Sequence, residues 1–80
     1  MELFEIKGKR GLKNPQTTTV LCATTSGNAV WYVVKGGTIV NLTFDDVNNG
    51  VDVETLKDMD CFTWDKPINT LKQLQKAIQA

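Results

Sequence analysis

The chain has no histidine. That removes the Ser-His-Asp and Cys-His nucleophile systems, in which an imidazole carries the proton, and every metal site built on imidazole. Cysteine is scarce: Cys22 and Cys61 stand far apart and cannot supply a CxxC or four-cysteine zinc site. The expectation is two thiols packed as small apolar side chains. No run approaches the roughly 18 apolar residues of a membrane span. Neither a phosphate-binding loop nor a dinucleotide fingerprint is present. The opening MELFEIKGKR carries Glu2, Glu5, Lys7, Lys9 and Arg10, and no apolar stretch of the secretory type follows. These absences lead to an expectation of a soluble, cytoplasmic, non-enzymatic protein without metal or cofactor, and with no membrane partner.

What is present is one domain's worth of chain. Eighty residues bury a thin core, and a catalytic cleft has little room in it. Net charge is zero, but it is laid out in blocks. Residues 1–44 carry a net +3, residues 45–65 a net −6, and residues 66–80 a net +3. Such segregation predicts an acidic face and basic faces, suited to a partner or to head-to-tail pairing of copies.

The middle of the chain reads as strands. TTTVLCATT (17–25) is rich in threonine and β-branched residues, and AVWYVVK (29–35) is aromatic and β-branched. In TIVNLTF (38–44), Val40, Leu42 and Phe44 fall on one side of a period of two. Gly36-Gly37 suits a two-residue hairpin turn that requires positive φ, and Ser26-Gly27-Asn28 is a second short turn. A three-stranded antiparallel meander over 17–44 follows. Val30 to Val34 is apolar on both faces, so that strand belongs in the centre. ELFEI (2–6) reads as a charged edge strand, and MDCFTW (59–64) as another strand with Phe62 and Trp64 on one face.

The end of the chain is helical. Leu71, Leu74 and Ile78 form one stripe, Lys72, Gln75, Lys76 and Gln79 face away from it, and Asn69 is a candidate cap. A further helical turn can start near Asp52. The fold class is therefore α+β: a two-layer, mostly antiparallel sheet of four to five strands, covered by a C-terminal helix over about 69–79. One sheet face is left without an assigned cover. A short helix, a long loop or a partner chain must bury it.

Two stretches invite functional readings. DDVNNGVDVE (45–54) has the composition of a calcium loop but not its register. Placing Gly50 at position 6 of an EF-hand puts Val47 at position 3 and Leu56 at position 12, where oxygen ligands are needed. Asp, Asn and Gly are equally the residues that turns require. The second stretch is IKGKRGLKNP (6–15). Its Gly8-Lys9-Arg10-Gly11 core resembles the GxxG signature of KH nucleic-acid-binding modules, in which the glycines join two helices and let a phosphate backbone approach. Here a strand-like segment precedes the motif, and Pro15 disfavours helix at Asn14. The candidate macromolecule-binding residues are Lys7, Lys9, Arg10 and Lys13, as phosphate contacts, with Trp31 and Tyr32 as stacking rings. With a pI near 6.1, the chain lacks the strongly basic balance of dedicated nucleic-acid domains. The leading expectation is a protein-interaction or accessory module that binds another protein or itself. Nucleic-acid binding through the 7–13 loop is the alternative.

Overall fold

A computed structural model of the protein describes residues 2–6, 11–13, 20–59 and 61–79. In chain order its strands are β1 (Leu3–Glu5), β2 (Leu12–Lys13), β3 (Leu21–Thr25), β4 (Trp31–Lys35), β5 (Thr38–Leu42), β6 (Val51–Asp52) and β7 (Cys61–Thr63). The helices are α1 (Phe44–Asn49) and α2 (Leu71–Gln79), with 3₁₀ turns at Ser26–Asn28 and Val53–Asp58.

The expected meander forms β3, β4 and β5. Gly36 and Gly37 both hold positive φ, 58° and 96°, which lets two residues reverse the chain between Lys35 and Thr38. The other reversal is tied by threonines. The Thr24 hydroxyl donates to the Val30 carbonyl at 2.8 Å, and the Val30 N–H donates to the Thr25 hydroxyl at 3.2 Å. β1 and β7 add to the two sides, giving a five-stranded antiparallel sheet in the order β1-β3-β4-β5-β7. β4 is the central strand, as its two-faced apolarity required.

Alternation along β4 divides the interior into two cores. Tyr32 and Val34 point to one face with Leu3, Ala23, Ile39, Ile68, Leu74 and Ala77, under α2. Trp31 and Val33 point to the other with Cys22, Val40, Leu42, Val51, Val53 and Leu56. The expected α+β sheet with its C-terminal helical cover is thus present. The face left open in the sequence reading is closed by residues 44–59 of the same chain. Val47 of α1 and Leu56 of the second 3₁₀ turn descend onto it, and Leu12 joins them from β2. β2 and β6 form a small parallel pair, Leu12 with Val51 and Lys13 with Asp52. Gly11 sits close under α1: its φ is +91°, and a Cβ there would stand 3.0 Å from Val47 Cγ1.

Two local expectations are corrected. Phe44 does not continue the inward row of Val40 and Leu42. The Thr43 hydroxyl accepts the Asp46 N–H at 3.1 Å, and the Asp46 carboxylate accepts the Thr43 N–H at 3.0 Å. This reciprocal cap ends β5 at Leu42 and starts α1, leaving Phe44 68% exposed. In α2 the cap is Thr70, not Asn69. The Gln73 N–H donates to the Thr70 hydroxyl at 3.2 Å, and Gln73 Oε1 accepts the Thr70 N–H in return. The expected turn near Asp52 is present, with the Asp52 carboxylate accepting the Glu54 N–H at 3.0 Å.

α2 is nine residues long and would not persist alone in water. Leu74 and Ala77 are buried against the sheet, with Leu71 and Ile78 half-buried beside them. Burying a leucine side chain contributes about 1.5–3 kcal/mol.

Candidate functional site

Among the described residues, β7 is held to the sheet through its pairing with β5, Thr38 with Thr63, Ile39 with Phe62 and Val40 with Cys61. The Trp64 N–H donates to the Gly37 carbonyl at 3.1 Å. Antiparallel ladders bond at every second pair, so this contact sets the parity. Phe62 exchanges its backbone hydrogen bonds with Ile39. Cys61 and Thr63 therefore turn their N–H and C=O groups outward. Among the described residues no strand pairs with that side, and Cys61, Phe62 and Thr63 are all exposed.

The side chains make the edge apolar on one side. Phe62 points to the α2 face and remains 43% exposed. Beside it lies a hollow of about 310 Å³ bounded by Tyr32, Asn41, Cys61, Phe62 and Ile78. Trp64 is half-buried in the core under α2. It also lines a cleft of about 700 Å³ at the end of the sheet, with Glu5, Leu21, Gly37, Lys66 and Asn69 around it.

The opposite edge is different. The Ile6 N–H donates to the Cys22 carbonyl at 3.0 Å, so in β1 it is Leu3 and Glu5 that present backbone groups outward. Glu5 is exposed there and Glu2 precedes the strand. Charge on an edge strand opposes further pairing. β7, Cys-Phe-Thr, carries none.

Of the residues singled out in the sequence, the described ones, Lys13, Trp31 and Tyr32, do not share a surface. Lys7, Lys9 and Arg10 lie outside the described residues. Lys13 is exposed in β2, in register with Asp52, and its aliphatic stem lies against Gly50. That puts it on the acidic cover. Trp31 and Tyr32 are 6% and 8% exposed, on opposite faces of the sheet. As candidate stacking rings they are corrected: β4 is central and both of its faces are covered, so neither ring is presented to a base. The residues that sequence reasoning did not place in a site are Cys61, Phe62 and Thr63. Alternation put Phe62 and Trp64 on one side, but no local pattern shows that a strand ends a sheet.

Charge is unevenly placed among the described residues. Asp45, Asp46, Asp52, Glu54 and Asp58 belong to the cover formed by residues 44–59, whereas Lys72 and Lys76 lie on α2 over the other face. Asp46 is held below the usual carboxylate range, first by the Thr43 N–H and then by the Thr43 hydroxyl, despite a small opposing desolvation. Among the described residues no three His, Cys, Asp or Glu side chains gather closely enough to hold a metal ion. Nor is any described helix long and apolar enough to cross a membrane.

Cys22 and Cys61 occupy the two ends of the cross-strand row Cys22–Val33–Val40–Cys61. Three strand spacings amount to about 14 Å, too far for a disulfide. Comparison of the chain with models of known protein families, with curated proteins and with solved structures gave no match.

Proposed function

We propose that this protein is a non-enzymatic binding module of the cytoplasm that takes an extended segment of another polypeptide as a sixth strand on β7. The observation that carries the proposal is the outer side of Cys61–Thr63: uncharged, exposed, and with backbone donors and acceptors that pair with no other strand among the described residues. Strand addition draws affinity from main-chain hydrogen bonds and specificity from alternate side chains. Phe62, with the hollow beside it, offers the apolar contact for every second residue of the incoming strand. Two thiols standing too far apart to pair agree with a reducing compartment.

A displayed library of random peptides, selected on the folded chain, tests this reading. The expected ligands are extended segments with alternating apolar residues. They should shift the amide resonances of Cys61 and Thr63 and lose at least tenfold in affinity to Thr63→Pro. Proline at position 63 removes an outward donor without breaking a ladder bond to β5. Selection of no peptide, or of peptides indifferent to Thr63→Pro and Phe62→Lys, would overturn it. A parallel arm with fluorescent oligonucleotides guards against the other class of partner. Tight, salt-sensitive binding there, with none to peptides, would replace this reading with a nucleic-acid one.

A further inference from the structure

We infer that the strand received by β7 is β7 of a second copy, paired antiparallel about a two-fold axis through Phe62. The inference rests on the strand-addition reading above and names its partner. The first argument is the parity of the edge. The outward groups belong to Cys61 and Thr63, one on either side of Phe62. Turning a second β7 about Phe62 brings Cys61 opposite Thr63 of the copy and Thr63 opposite its Cys61. Both pairs are then of the hydrogen-bonded kind, and all outward groups of the strand are satisfied. The contact is isologous, so it closes on itself and makes a dimer rather than a fibre.

The second argument is the side chain at the axis. Phe62 falls opposite Phe62 of the copy as a non-hydrogen-bonded pair, the pair in which side chains approach most closely. Each ring is 43% exposed in the single chain, and each borders the hollow formed with Tyr32, Asn41 and Ile78. The partner's ring packs against the exposed side of Phe62. Aromatic cross-strand pairs are among the favourable ones.

The opposite edge supplies a third argument: turned in the same way about Phe4, two β1 strands would set the charged Glu5 of each copy opposite Leu3 of the other and diagonal to the second Glu5, whereas β7 carries no charge.

Three residues of ladder and two rings make a small interface, well below the roughly 1,200 Å² of stable complexes, so the dissociation constant should fall on the order of 0.1–1 mM. Sedimentation velocity of the full chain from micromolar to millimolar concentration reads it. The expected result is a reversible monomer–dimer equilibrium, weakened at least tenfold by Phe62→Lys and by Thr63→Pro. An independent measurement needs no variant at β7. In the proposed register the two Cys61 side chains are diagonal neighbours, about 7–8 Å apart. A short-armed bismaleimide should therefore join wild-type chains as dimers, and Cys61→Ser should abolish the product. A monomer at millimolar concentration, a dimer unaffected by both variants, or an open-ended series of oligomers would each overturn the inference. A monomer that still selects peptides dependent on β7 refutes the second copy alone. A monomer that selects none refutes strand addition as well.

Discussion

The N–H of Trp64 lies 3.1 Å from the carbonyl of Gly37, one pair beyond the end of β7. The glycine belongs to the turn that starts β5, so the contact carries the ladder past its last regular residue. It also decides which β7 amides face inward. Hydrogen exchange checks this directly. The amides of Phe62 and Trp64 should exchange at least about tenfold more slowly than those of Cys61 and Thr63 in a dilute, monomeric sample. Equal rates along 61–64 would mean a different parity.

Leu74 is fully buried and sits at the centre of the contact between α2 and the sheet. Leu74→Ala should cost about 2–5 kcal/mol by urea titration. A chain of this length is stabilised by only about 4–12 kcal/mol, so the midpoint should fall steeply. A loss under about 1 kcal/mol would show that α2 is not docked as described.

The start of α2 separates two neighbouring residues. Thr70 supplies a hydroxyl to the Gln73 N–H, whereas Asn69 contributes only its backbone N–H, donated to Gln73 Oε1 at 2.6 Å. Thr70→Ala should therefore cost about 1 kcal/mol, and Asn69→Ala less than about 0.5 kcal/mol. Thermal melts of the two variants side by side read the difference; the reverse order would restore Asn69 as the cap.

Asp46 introduces a pH dependence with a definite sign. Its folded pKa is lowered from the ordinary 3.8 by the hydrogen bonds from Thr43. The stabilisation it brings is thus fully present above the unfolded pKa, and it is lost as the pH falls through the lower, folded value. Asp46→Asn keeps an acceptor for the Thr43 N–H but does not titrate. The stability gap between wild type and Asp46→Asn should be constant above about pH 5 and should close on acidification. A gap that widens in acid would contradict the assignment.

These residues also show how far local pattern reaches. The meander was legible because β-branched residues at period two flank Gly36-Gly37, and α2 because Leu71, Leu74 and Ile78 recur at helical spacing. α1 was not legible. It spans six residues with no apolar stripe, and Asp45, Asp46, Asn48 and Asn49 serve a turn as well as a helix. The Thr43–Asp46 box was its one local sign. β2 and β6 are two residues each, too short to show any period, and they exist because Leu12 meets Val51 in three dimensions. The open edge was beyond local reach for the same reason: whether Cys61–Thr63 ends the sheet depends on where every other strand went.

The second cover of the sheet has a kinetic meaning. Lys35 pairs with Thr38 and Val34 with Ile39 across a two-residue turn, so β4 and β5 can join at small loop entropy. β7 reaches β5 only after residues 44–59 have crossed the face and packed Leu56 onto it. β1 must likewise travel from Leu3 to Thr25. Contacts of long sequence separation are the slow ones. The meander should therefore form first and wait with the outer sides of β3 and β5 bare, one to be closed by each end of the chain. During that interval the outer side of β5, with Ile39 and Val40 on it, would be open to other chains, and the charge of Asp45 and Asp46 just beyond it should oppose their approach.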